Sequence, residues 1–146
     1  MNTVLITGAN RGIGLEFVRQ YAADGWCVFA CCRDPAAARE LNEVAAGHAD
    51  RVSIYPLDVT DHRQIELLSR TLANEAIDVL INNAGVYPPE YGDVFGKTDY
   101  SAWMHTFEVN TMAPMKMAEA FIQQVARGRR KTIITLTSKM GSVADN

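Results

Sequence analysis

No stretch of the chain approaches the roughly 18 consecutive apolar residues needed to cross a bilayer. A secretory leader is not expected either, because Val4-Leu5-Ile6 is cut short by Thr7-Gly8 and no basic segment precedes it. Positive charge is not in excess: the net charge is −3, which argues against nucleic acid or an anionic membrane as partner. The short basic cluster Arg127, Arg129, Arg130 and Lys131 reads as a solvated helix end, where cations suit the helix dipole. Cysteine is scarce. Cys27, Cys31 and Cys32 crowd one predicted strand and match no metal or redox spacing, so they read as small buried hydrophobes in a reducing, cytoplasmic setting. His48, His62 and His105 are scattered and suggest no ligand set, so no metal is expected.

What is present is ordinary globular material. The 146 residues suffice for one domain, and 48% hydrophobic with 21% charged residues suits a soluble core-forming chain. Short β-branched runs alternate with amphipathic stretches. Strands are predicted over 3–7, 26–32, 52–57, 77–81 and 132–137. Between them, a helix over 12–24 places Ile13, Phe17 and Tyr21 on one face, and Pro35 opens a helix carrying Ala37, Leu41 and Val44. Asp61 caps a third helix with Ile65, Leu68 and Leu72 inward. A long helical pattern over 99–127 turns Met115, Ala118, Ile122 and Val125 inward. Apolar strands alternating with helices predict a doubly wound α/β fold, a parallel sheet covered on both faces.

The first strand-to-helix turn reads Thr7-Gly8-Ala9-Asn10-Arg11-Gly12-Ile13-Gly14. Such a turn lets main chain approach a pyrophosphate at a helix N-terminus. Gly8 allows the tight exit from the strand, Gly12 lets the backbone meet phosphate, and Gly14 lets the helix pack closely. No Gly-Lys-Ser/Thr sequel follows, which excludes a P-loop. A tight glycine turn in some other α/β protein is the alternative.

The Gly-x-x-x-Gly-x-Gly spacing resembles that of the short-chain dehydrogenase/reductases. Asp58, Asn82-Asn83-Ala84-Gly85, Asn110 and Ser138 match the family in order, and the resemblance covers the whole chain. Within the family the carbonyl-reductase and C-factor-like branch looks most similar. The resemblance implies a Rossmann domain that binds a nicotinamide cofactor and reduces a small-molecule ketone or aldehyde. It also implies that Asp58 contacts the adenine with Val59 beside the ring, though Asp58 also reads as a turn acid ahead of Thr60-Asp61. Asn82, Asn83 and Ala84 would steady the central sheet along the cofactor, and Gly85 would leave it room. The long helix of such proteins often packs on its twin, which makes a homo-oligomer possible.

For the cofactor two readings compete. Asp34 sits about 20 residues after Gly14, the generic spacing for a ribose-binding acid of an NAD site. In the family, however, the acid stands at the strand's last residue, here Cys32, while Arg33 follows and Arg11 lies in the turn. Two guanidiniums suit a 2′-phosphate, so the reading favours NADP(H), leaving Asp34 to cap the next helix ahead of Pro35.

The family's serine holds the carbonyl oxygen, and Ser138 occupies that position. Asn110 belongs to the same relay by resemblance, and it has a local argument of its own. Pro114 lacks an N–H, so the Asn110 carbonyl loses its helical partner and the helix should kink. The family's Tyr-x-x-x-Lys would fall just beyond Asn146. None of Tyr21, Tyr55, Tyr87, Tyr91 and Tyr100 has a Lys four places on, and Lys139 has the wrong spacing. The expectation is therefore the cofactor-binding, N-terminal part of a longer reductase, residues 1–146, with an incomplete catalytic set. The loop 86–97, with Tyr87, Pro88, Pro89 and Tyr91, is the part that would reach a substrate. A non-catalytic NADP(H) sensor and an inactive fragment are the alternatives.

Overall fold

All five predicted strands form, and all are parallel. The computed structural model describes residues 1–87, 95–138, 141, 142 and 144. Pro88, Pro89 and Tyr91 of the expected substrate loop, and Lys139, lie outside the described residues. In chain order the elements are β1 (Thr3–Thr7), α1 (Gly12–Ala23), β2 (Cys27–Cys32), α2 (Arg39–Gly47), β3 (Val52–Pro56) and α3 (His62–Thr71). They continue with β4 (Val79–Asn82), α4 (Tyr100–Phe107), a π turn (Glu108–Met112), α5 (Ala113–Arg127) and β5 (Thr132–Thr135).

The sheet order is β3-β2-β1-β4-β5, a doubly wound Rossmann arrangement. Val4 pairs with Val28 on one side and Val79 on the other, so β1 is central and buried throughout. One apolar layer joins Leu5, Leu80, Ile65, Met117 and Phe121, and the other joins Val4, Ile6, Leu15, Val18 and Leu41. Because the strand order reverses between β1 and β4, the strand ends open a crevice there, where such folds bind ligands.

Local chemistry sets the helix starts. Asp61 caps α3 by accepting the N–H groups of Arg63 and Gln64 at 2.9 and 3.2 Å, and Ile65, Leu68 and Leu72 turn inward. Asp99 caps α4 in the same way through Ser101 and Ala102.

Three expectations need correction. Pro35 does not open α2: the Asp34 carboxylate takes the N–H groups of Ala36 and Ala37, closing a turn around Pro35, and the helix starts only at Arg39. Asp34 thus caps that turn, not the helix. In α1 the buried stripe is Gly14, Leu15, Val18 and Ala22; Ile13 is exposed, while Phe17 and Tyr21 are half-buried. Small residues face the sheet because the helix lies close to it. In α5 the inward stripe is Ala113, Met117, Phe121 and Val125, and Met115 and Ile122 point outward. That helix is apolar on more than one side, and only one side meets the sheet.

The basic cluster is indeed exposed, yet it is anchored. Buried Asp78 accepts the main-chain N–H groups of Thr3 at 2.8 Å, Arg129 at 2.7 Å and Arg130 at 3.3 Å. Burial alone would push that carboxyl upward; the three N–H donors and the nearby Arg129 charge outweigh it and hold it below the usual range.

Candidate functional site

The crevice is built first from the glycine turn. Gly8 and Gly12 adopt φ of +63° and +55°, a region that side chains disfavour. The Ala9 N–H reaches the Cys31 carbonyl at 2.9 Å, fixing the turn against β2. At Gly14 a methyl group would collide with the Gly8 carbonyl and the Asn83 amide, so only glycine lets α1 begin this close to the turn. At Gly12 the same methyl would meet nothing, because it would stand in the open crevice. Arg11, preceding the helix, gives no side-chain cap, and the first turn of α1 holds no acid. The partial positive charge of the helix start is therefore unneutralised.

The turn is clamped from the β4 side. Thr7 Oγ1 accepts the N–H groups of Asn83 at 3.1 Å and Ala84 at 3.0 Å, and Asn83 Nδ2 donates to the carbonyls of Thr7 and Gly8 at 3.0 Å each. Asn83 thus bridges neighbouring main chain. Asn82 does so only weakly: its Nδ2 lies 3.5 Å from the Pro114 carbonyl and 3.4 Å from Thr135 Oγ1, and its buried Oδ1 has no partner among the described residues.

Between these parts lies a cleft of about 450 Å³. All twelve residues expected at a cofactor line it: Gly8, Asn10, Arg11, Gly12, Ile13, Gly14, Arg33, Asp58, Val59, Asn83, Ala84 and Gly85. Six lining residues were not foreseen, namely Cys32, Leu57, Thr60, Val86, His105 and Val109. Spacing held a signal for two of them, since His105 and Val109 stand one helical turn apart on the helix that carries Asn110. Arg11 and Arg33 are both exposed at the cleft, while Cys32, the last residue of β2, is buried. Burial, and then the Asp34 carboxylate, push the Cys32 thiol upward, which disfavours its thiolate.

Asp58 Oδ1 is occupied by the Thr60 N–H at 2.9 Å and hydroxyl at 2.8 Å, which leaves Oδ2 uncommitted among the described residues. Burial would raise this carboxyl; the two Thr60 donors, then Arg33 and His105, bring it below the ordinary value instead. It is an acceptor at neutral pH. Both of its alternative readings keep a physical basis, because one oxygen closes a turn and the other is available.

Neither Asn110 nor Ser138 lines the cleft. Asn110 grips its wall: Oδ1 accepts the Val86 N–H at 2.9 Å and Nδ2 donates to the Val86 carbonyl at 2.8 Å. The helix distortion expected from Pro114 is present as the π turn over Glu108–Met112, where the Ala113 N–H reaches five residues back to Glu108. Ser138 is exposed past the end of β5, and its carbonyl accepts the Gly141 N–H at 3.0 Å. No group of three or more metal-ligating side chains occurs among the described residues, and no helix of the described residues is long and apolar enough to cross a membrane.

A parallel sheet with its glycine turn and cleft at the point of strand reversal defines a Rossmann-type nucleotide-binding fold. The family model for short chain dehydrogenases matches residues 2–145, and the chain belongs to that family. An uncharacterized oxidoreductase from Schizosaccharomyces pombe is 31% identical over 96% of this chain and 55% of its own length. Galactitol 2-dehydrogenase from Agrobacterium fabrum is 36% identical over 94% of this chain and 52% of its own. Among solved structures, the NADPH-bound carbonyl reductase from chicken fatty liver is 33% identical, with a TM-score of 0.88 over 99% of this chain and 62% of that one. A carbonyl reductase from Pseudomonas aeruginosa in complex with NADP is 32% identical, with a TM-score of 0.86. The chain therefore spans about half the length of the curated relatives it matches.

Proposed function

We propose that this chain is the cofactor-binding part of an NADPH-dependent oxidoreductase that reduces a small ketone or aldehyde. The observation that carries the reading is the cleft itself, in which two exposed arginines, Arg11 and Arg33, flank a position held by Cys32 and not by an acid. NADP(H) fits the residues present. The open space at Gly12 admits a phosphate against main chain, and the uncapped start of α1 supplies free N–H groups. Arg11 and Arg33 would pair with a 2′-phosphate in bidentate fashion. Asp58 Oδ2 would accept from the exocyclic amine of an adenine beside Val59. Asp34, whose Oδ1 holds the Ala36 and Ala37 N–H groups, is not among the residues lining the cleft, which supports NADPH over NADH.

When bound, the cofactor supplies hydride. This chain's part is to position it, with Ala84 and Gly85 along one wall and Asn110 holding Val86 in place. Ser138 would hold the carbonyl oxygen of the substrate, as the family resemblance implies. The 146 residues contain no Tyr-x-x-x-Lys to deliver the proton. The chain alone is thus expected to bind cofactor without turning over.

Titration of NADPH and NADH against the chain, followed by nucleotide fluorescence, tests the assignment. NADPH should bind more tightly, and Arg33→Asp should reverse the order. Tighter binding of NADH by the unaltered chain sinks the NADPH reading. Consumption of NADPH with a panel of carbonyl compounds tests the second half, since turnover by the chain alone would contradict an incomplete catalytic set. A non-catalytic NADP(H)-binding module is the second reading, favoured by that same missing motif.

A further inference from the structure

The helix α4 carries His105 across the strand ends to the same cleft as Asp58 and Thr60, although in sequence it stands apart from every other cleft segment except Val109. Its side chain is about half exposed, so no core role accounts for it. Glu108 stands beside it, with Oε2 3.9 Å from Nδ1. Across the cleft, Leu57 and Val59 are buried aliphatic side chains, and Val109 continues the same apolar lining one turn beyond His105. A slot with aliphatic walls and a carboxylate acceptor at one edge suits a flat heteroaromatic base that carries an amino group. It does not suit a phosphate or a sugar, which need donors from the walls. His105 is also close enough to Asp58 to act on its charge, and both line the same cleft.

We propose that the imidazole of His105 stacks on the purine of the adenine half of the cofactor, completing a base slot with Val59, Val109 and Asp58. The inference rests on the nucleotide reading above and adds to it a residue that selects for an aromatic base. Stacking of an aromatic side chain on a base costs no donor and tolerates an exposed ring, which matches the half-open placement of His105. The role belongs to the ring face and not to its charge, so Phe should replace His while Ala should not.

The test uses the full chain as wild type, His105→Ala and His105→Phe, titrated with NADPH, adenosine 2′,5′-bisphosphate and nicotinamide mononucleotide. His105→Ala should weaken NADPH and adenosine bisphosphate alike by about tenfold and leave nicotinamide mononucleotide unchanged. His105→Phe should stay close to wild type for all three. Unchanged NADPH binding in His105→Ala overturns the role of His105 while leaving the cofactor reading intact. An equal loss in His105→Phe, or a loss that extends to nicotinamide mononucleotide, also overturns it. A wild-type chain that binds none of the three overturns both readings.

Discussion

Thr7 and Asn83 hold each other twice: the Thr7 hydroxyl accepts the Asn83 N–H at 3.1 Å, and the Asn83 amide donates to the Thr7 carbonyl at 3.0 Å. This reciprocal pair joins the end of β1 to the loop after β4. Thr7→Val keeps the shape but strands the Asn83 and Ala84 N–H groups. It is expected to cost about 1–2 kcal/mol, since half-buried donors left unsatisfied forfeit part of their solvation. Urea unfolding measures it, with Thr7→Ser as the variant that retains the bonds. A Thr7→Val midpoint equal to wild type would show that water replaces the hydroxyl.

Two glycines of one turn should fail differently. Gly14→Ala drives a methyl group into main-chain atoms of Gly8 that have no room to move, so loss of the folded state is expected. Gly12→Ala has space but a φ of +55°, a strain of about 1–2 kcal/mol. It should stay folded by circular dichroism and lose cofactor affinity, because its methyl occupies the cleft. The idea fails if Gly12→Ala binds NADPH as wild type does.

Asp78 makes stability depend on acid. Its folded pKa is depressed, so its contribution is complete above the unfolded value of about 3.9 and disappears as pH falls through the folded value. Urea midpoints should therefore decline below about pH 4 more steeply in wild type than in Asp78→Asn. Asp78→Ala should cost about 3 kcal/mol at neutral pH, because three N–H groups lose a charged acceptor. Parallel pH profiles in wild type and Asp78→Asn would assign the acid sensitivity elsewhere.

Several large apolar side chains are exposed among the described residues. Met104, Phe107, Met115 and Ile122 are exposed on α4 and α5, and Ile133 and Ile134 are exposed on β5, the last strand of the sheet. Edge strands of this kind invite pairing with other chains. Ile134→Lys is expected to lower light scattering of the concentrated chain while leaving cofactor binding unchanged. Scattering that does not fall would place the sticky surface on the helices instead.

The strands, their order along the chain and the glycine turn were legible because each rests on a local signal: a β-branched run, a cap, or a glycine where no side chain fits. The twelve expected cofactor residues meet in one cleft for the same reason, as strand ends of a parallel sheet converge. Helix orientation was not legible from periodicity alone. Ile13, Met115 and Ile122 fall on regular apolar stripes, but a second stripe in each helix competes, and the sheet selects between them by contact. In α1 the stripe with Gly14 and Ala22 wins because it lets the helix lie closer. The place of His105 in the cleft was not legible because the Leu57–Thr60 segment that shares the cleft with it is far away in sequence. The start of α2 was misplaced because Asp34 spends its carboxylate on a turn before any helix begins.

The central position of β1 also has a consequence for the order in which the molecule assembles. Its neighbour β2 follows soon along the chain, whereas β4 arrives only after two further helices and a strand. Long-range pairing carries the larger loop-closure cost, so the β1–β4 seam is expected to close late. Pulse-labelled hydrogen exchange during refolding should protect β2 before β4, and the reverse order would refute this. The glycine turn straddles that seam, with Gly8 on one bank and Asn83 on the other. A nucleotide that grips both banks would act as a fastener, holding shut the join that the chain makes last.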